Sequence, residues 1–265
     1  IISFILPVFF VIIIGVLSYQ KASESILDNF NNSSLQSIDM TGEYIQFGFD
    51  SIENTALQYT MDNNLQRFFL GLYDNDTVQL NSVLTNVRNS LITKQGSDPF
   101  IQNIHIFSIH KDETITSSGK TARGLYETFL NSDAGSKLRE DSKTRYWIGK
   151  DESFDQSIGI SSDNYSIRYI RGFPTGDTAI LVDVSNSTIQ DILNKLSHGE
   201  GSILGFITED GREIIKSDRS DLPDQVFTNE DFYINSFLSD LEEGSENVTY
   251  QGESYIYFYS KVGNS

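Results

Sequence analysis

Residues 1 to 19, IISFILPVFFVIIIGVLSY, contain no Lys, Arg, Asp or Glu, and the first charged side chain is Lys21. As a helix rising 1.5 Å per residue, about 19 residues span roughly 28 Å, close to the ~30 Å hydrocarbon core of a bilayer. Ile, Val, Leu and Phe fill fourteen of these nineteen positions. A secretory h-region is shorter, roughly 7–15 residues, and precedes a small-residue cleavage site. Here Tyr19 leads directly into a helical pattern, so the stretch reads as a membrane helix. Pro7 and Gly15 are compatible with that reading, because membrane helices tolerate both.

The remaining ~245 residues are enough for one large or two small domains with real cores. Across the chain, 37 acidic side chains against 19 basic ones give a net charge of -18. Nucleic-acid binding needs clustered positive charge, so no nucleic-acid partner is expected, and anionic lipid is an equally poor partner for the charged part. The acidic excess after the anchor suits a segment facing outward from the cell. Cysteine is absent, which removes disulfide frameworks, thiolate metal sites and cysteine nucleophiles. The chain starts at Ile1 with neither Met nor a basic flank, so further polypeptide is expected upstream and the positive-inside rule has nothing to act on.

After the anchor, Ala22, Ile26, Phe30, Leu35, Ile38, Ile45, Phe49, Ile52, Ala56 and Tyr59 recur at mostly three-, four- and seven-residue spacings. This is one apolar stripe of a long helix, and continuity from the bilayer to Arg67 would make it roughly 70 Å long. Such a rod suits a receptor that connects a distant pocket to a membrane helix. Asn75 and Asp76 are placed to cap a shorter helix carrying Val78, Val83, Val87 and Leu91, ended by Gly96 to Pro99.

From Phe100 the period becomes two. Residues 101–109 read as a strand with a partner around 113–117, and 124–140 as helical or irregular. Strands are also expected at 164–172 and 177–184, separated by a Phe-Pro-Thr-Gly turn. On a regular strand Tyr165 and Tyr169 share a face and Arg168 points away. Ser187 and Thr188 then open a short helix. Glu209-Asp210-Gly211-Arg212 marks a hairpin between 202–208 and 213–216, since Asp-Gly readily takes positive φ. A second strand pair, 247–250 and 254–259, brackets Gln251-Gly252-Glu253, with a helix between the hairpins at 231–241.

This order of elements resembles the double-Cache (dCache) extracellular sensor domains of bacterial methyl-accepting chemotaxis receptors and membrane histidine kinases, over nearly the whole chain. The resemblance implies an α+β fold in which a long N-terminal helix is followed by two tandem PAS-like (Cache) antiparallel-sheet domains. It divides the chain into a transmembrane helix (1–19), a stalk helix (20–70), a membrane-distal Cache domain with the ligand site (71–186), a connector helix (187–198) and a membrane-proximal Cache domain (199–265). A second membrane helix would follow Ser265. In family members that bind amino acids, an Arg-x-Trp segment helps hold the carboxylate, a later Tyr lines the pocket, and a late Asp receives the amine. The matching positions are Arg145 and Trp147 in Lys143-Thr144-Arg145-Tyr146-Trp147-Ile148, Tyr165 or Tyr169, and Asp183 in Ile180-Leu181-Val182-Asp183-Val184-Ser185. Glu140 stands where the family has a carboxylate-binding Tyr, and Ile148 replaces the aromatic residue after the Trp.

The side chains themselves fit these roles. Arg145 presents a rigid fork to a carboxylate, and Trp147, the only Trp in the chain, can wall an apolar cavity. Asp183 interrupts an apolar strand and therefore needs a partner. A ligand amine is one candidate, and Arg145, Arg168 or Arg171 is another. The rival structural readings are an internal Asp–Arg pair and a core Trp. His105 and His110, with His198 far away, lack metal-site spacing, and no metal or cofactor is expected. Without a phosphate loop, nucleophile elbow or zincin helix, no enzyme is expected either.

The resulting expectation is the cell-membrane-anchored, extracellular sensor of a bacterial chemoreceptor. It would bind a small polar ligand, with amino acids and amines as candidates, and signal as a homodimer. The alternatives are the input module of a histidine kinase or cyclic-dinucleotide enzyme, or a surface protein-binding scaffold in which Asp183 is paired internally.

Overall fold

The computed structural model describes residues 2–111, 114–118, 124–140, 144–196 and 201–263, with backbone only at 2–8, 139 and 140. Helix α1 runs from Ile2 to Thr60. Its N-terminal part is long and apolar enough to cross a membrane, and Phe9 to Leu17 project large apolar side chains outward. The helix stops short of the expected Arg67. Asp62 adopts an extended conformation and accepts from the Leu65 amide at 2.8 Å, which starts a separate helix α2 (Asn63–Phe69). Side-chain capping by Asp outcompetes continuation of the ladder here. Gln66 Nε2 donates to the Thr60 carbonyl at 2.7 Å, meeting one of the acceptors that the helix end leaves open. Asp76 caps helix α3 (Thr77–Ser97) through the Gln79 amide, and Val83, Val87 and Leu91 are buried while Val78 is exposed.

The chain forms two compact units, one of Gln46–Glu230 and one of Ile1–Ile45 with Asp231–Ser265. The first contains a five-stranded antiparallel sheet made of β1 (Ile101–Ser108), β2 (Ile115–Thr116), β3 (Arg145–Ile148), β4 (Tyr165–Gly172) and β5 (Thr178–Ser185), in the order β2-β1-β5-β4-β3. Phe107, Tyr146, Ile148, Ile170, Ala179 and Leu181 of the sheet form one apolar core with three short helices. These are α4 (Leu125–Leu130), α5 (Asp133–Glu140) and α6 (Glu152–Ile158). On the other face Phe49 of α1 lies 4.6 Å from Trp147. Gly48 is required there, because a Cβ would come within 2.5 Å of the Phe100 ring.

Strand β4 carries a bulge. Tyr165 pairs with Ser185 and Arg168 with Asp183, so three steps along β4 match two along β5. The two tyrosines therefore do not share a face, as regular alternation requires. Tyr165 lies beneath the Arg168 guanidinium at 4.5 Å, while Tyr169 packs against Trp147 at 4.8 Å.

The same unit holds α7 (Asn186–Lys195) and the hairpin β6 (Ile203–Ile207)–β7 (Glu213–Ser217). The α7 cap is Ser185, accepting from the Thr188 amide, two residues earlier than the sequence suggests. The other unit combines the N-terminal part of α1 with α8 (Asp231–Leu238) and a hairpin, β8 (Glu243–Tyr250)–β9 (Glu253–Ser260). Gln251 and Gly252 turn that hairpin at φ 52° and 83°, both left-handed as a two-residue turn demands. Phe30 meets Phe258 edge-on at 6.4 Å. The architecture is thus a long N-terminal helix followed by mixed helices and several antiparallel sheets.

Candidate functional site

Between its polar ends Thr178 and Ser185, β5 is apolar except for Asp183, which is fully buried. Its partner is Arg168, opposite it in register on β4. Arg168 donates from Nε to Oδ1 at 2.6 Å and from Nη2 to Oδ2 at 3.3 Å. The same Nη2 lies 2.8 Å from Asp155 Oδ1 of α6. Asp155 also accepts from the Tyr165 hydroxyl at 2.7 Å, and that hydroxyl accepts from the Asp151 amide at 3.3 Å. His105 on β1 completes the group, with Nε2 3.8 Å from Asp183 Oδ2. Two carboxylates, one guanidinium, one imidazole and one phenol therefore share an interior where charge is expensive.

The environment sets their protonation. Burial pushes His105 down to about 4 against the opposing pull of Asp183, so the imidazole is neutral at pH 7. Burial likewise raises Asp155, with Arg168 working against it. For Arg168 burial disfavours the charge, but Asp183, helped by Tyr165 and Asp155, outweighs it and holds the guanidinium protonated.

The other face of the sheet gathers the remaining anticipated residues. Trp147 Nε1 donates to Glu53 Oε1 at 3.0 Å, and Arg145 Nη1 lies 3.4 Å from Glu53 Oε2. Trp147 sits between Phe49 and Tyr169. The Tyr169 hydroxyl accepts from Arg171 Nη1 at 3.4 Å. The five anticipated residues thus divide into Tyr165 with Asp183 on one face, and Arg145, Trp147 and Tyr169 on the other. Arg145 is largely exposed, so its pair with Glu53 is a weak one.

Arg168 had a sequence signal, because Asp183 needed a partner and three arginines were within reach. Asp155, His105 and Glu53 had none, since each sits in an ordinary amphipathic pattern. The Glu140 side chain, Lys143 and His198 lie outside the described residues. Among the described residues no group of three His, Asp or Glu is placed to hold a metal ion.

A second polar assembly ties the β6–β7 hairpin to the end of β3. Asp210 Oδ2 accepts from the Gly149 amide at 2.7 Å, and Arg212 Nη1 donates to the Gly149 carbonyl at 2.7 Å. Arg212 also lies 5.1 Å from the Tyr165 ring. Beside it opens a cleft of about 410 Å³ lined by Lys150, Asp163, Asn186, Gln190, Arg212 and Asp224 among others. Asp210-Gly211 forms the turn expected of it, with Gly211 at φ 85°.

Comparison of the chain with protein-family models finds no match, and comparison with curated proteins likewise finds none.

Proposed function

We propose that this chain is the outward-facing sensor of a bacterial membrane receptor of the double-Cache kind. Residues 1–19 anchor it, 20–70 form the stalk, 71–186 the ligand-binding distal Cache domain, 187–198 the connector and 199–265 the proximal Cache domain. The ligand is a small polar molecule, and signalling requires one conformation to bind it better than the other. A homodimer would use the apolar side chains that α1 leaves outward, such as Ile26, Met40 and Phe47. The observation that carries the reading is the charged cluster on the β4–β5 face, where Arg168, Asp183, Asp155 and His105 are all buried. Buried ion pairs add little net stability compared with apolar packing, and groups with displaced protonation equilibria collect at functional sites.

One observation favours a second reading. Asp183 is already paired with Arg168, as in an anchored scaffold that binds another protein and no small ligand. A thermal-shift screen of the full chain in detergent, against amino acids, other amines, small carboxylates, purines and sugars, separates the two. A binder of the folded state raises the midpoint by mass action. A shift supports the sensor, and a flat panel supports the scaffold.

A further inference from the structure

Arg168, Asp183, Asp155 and His105 are each no more than 3% exposed. Two carboxylates stand there against one guanidinium, and His105 is neutral at pH 7. With both carboxylates ionised, the group is one positive charge short. Among the described residues, Arg168 Nη1, His105 Nε2 and Asp155 Oδ1 also lack a hydrogen bond, which interiors rarely tolerate. Arg168 Nη2 lies 2.8 Å from Asp155 Oδ1 without the alignment of a hydrogen bond, while it donates to Asp183 Oδ2 at 3.3 Å.

The guest this group calls for is a single positive charge, and a proton needs no cavity to reach it. Both nitrogens of an imidazolium donate. A protonated His105 can therefore close Nε2 on Asp183 Oδ2 from its present 3.8 Å to the about 2.8 Å of a charge-assisted bond. The contact it displaces is the longer of the two that Arg168 makes with Asp183. Arg168 keeps Nε on Asp183 Oδ1 at 2.6 Å and turns Nη2 to Asp155. One proton thus balances the charge and meets two of the three open atoms.

The surroundings leave this exchange to the group itself. β5 faces the imidazole with Asp183 and β4 with Arg168, and these pull its protonation in opposite directions. Tyr165 of β4 and Asp155 of α6 lie against Arg168. Asp151, just before α6, is occupied by the Ala134 and Phe154 amides. β2 sets the uncharged Thr116 opposite His105. On α4, Tyr126 donates to the Gly176 carbonyl and Glu127 is exposed. On α3, Lys94 is paired with Asp98, and Arg88 forms no ion pair with the group. Burial opposes the uptake, which sets the response in acid and not near neutrality.

We propose that Arg168, Asp183, Asp155 and His105 form an acid-sensing site, in which His105 takes one proton from water and replaces Arg168 on Asp183 Oδ2. The proposal rests on the sensor reading and gives this cluster its own stimulus, the proton.

The test is an NMR titration of the full chain in detergent, from about pH 7.5 to about pH 3, with labelled histidine rings and arginine side chains. Loss of a signal in His105→Gln identifies His105, and circular dichroism follows the fold. His105 should take its proton in the folded chain, well below the ordinary 6.5. The Arg168 Nε–H signal should move with the same midpoint, and should stay still in His105→Gln. Asp155→Asn removes the unbalanced negative charge and should lower the His105 step by about one unit or more. If Asp155→Asn fails to fold, the Arg168 signal of the wild type carries the test alone. A His105 that stays neutral until the fold is lost overturns the site. So does a step at the ordinary 6.5, or one that Asp155→Asn leaves unmoved. An Arg168 signal that ignores the His105 step overturns the exchange on Asp183. None of these results alters the small-ligand screen, so the sensor reading stands or falls separately.

Discussion

With both Asp183 oxygens held by Arg168 and neither residue exposed, removing the carboxylate strands a guanidinium in the interior. Asp183→Ala should therefore cost about 3–5 kcal/mol of folding stability, whereas Arg168→Met with Asp183→Leu should come close to wild type. Urea unfolding measures both, and an Asp183→Ala loss below about 1 kcal/mol would place the pair in water after all. His105 gives a pH prediction. Its folded pKa is depressed from 6.5 to about 4, so between these values the unfolded chain binds more protons. Its contribution is complete above pH 6.5 and declines as pH falls toward 4, by on the order of 3 kcal/mol. Asp155, raised in the fold, acts in the opposite sense and favours the native state in acid. His105→Gln should flatten the loss of stability between pH 6.5 and 4, and an unchanged slope would show that His105 titrates normally. At this scale the sequence revealed that Asp183 needed a partner. Which arginine answered depended on the register that sets Arg168 opposite Asp183, while the bulge at 165–168 brings Tyr165 onto the same face, and no periodicity announces either.

Among the elements, those with a strong local cause were legible. The cap at Asp76, the Asp210-Gly211 turn and the β1 alternation each rest on nearby residues. Strand β3 leaves no strand signal in the sequence, because four residues with both faces partly covered carry too little pattern. The end of α1 at Thr60 is hidden in the sequence for a related reason. The apolar stripe continues through Leu65 and Phe68, and only the Asp62 side chain breaks the ladder. The contact between β3 and the β6–β7 hairpin joins segments about sixty residues apart, so it had no local signal. It rests on Gly149, where a Cβ would approach Asp210 Oδ1 to 2.5 Å, Thr208 Oγ1 to 2.7 Å and Arg212 Cβ to 2.8 Å. Gly149→Ala should force the turn away and cost roughly 1–3 kcal/mol, as overpacking does. Hydrogen exchange should then quicken in β6 and β7 while β1 and β5 stay protected. Uniform quickening would mean the hairpin is not a separable element.

At the scale of the whole molecule, the contrast between a charge-free first nineteen residues and a net charge of -18 makes anchoring a quantitative question. Ile, Val, Leu and Phe at the helix centre each favour insertion by about 0.3–0.6 kcal/mol, and an Arg there opposes it by about 2.5–3.5 kcal/mol. Fourteen such apolar residues therefore supply roughly 4–8 kcal/mol before end effects and the interruptions at Pro7 and Gly15. A single Ile12→Arg change falls short of that sum, so this variant should stay in the membrane pellet after alkaline carbonate washing. Combining Ile12→Arg, Ile13→Arg and Ile14→Arg adds roughly 8–10 kcal/mol of opposition, together with the lost apolar contributions. That exceeds the drive to insert, and the triple variant should move to the wash. Both variants leave the unit of Gln46–Glu230 untouched, so its thermal unfolding should be the same in each. Wild-type protein released by carbonate would remove the anchor, and with it the receptor reading. A triple variant that stays in the pellet would mean that something other than residues 1–19 holds the chain at the membrane.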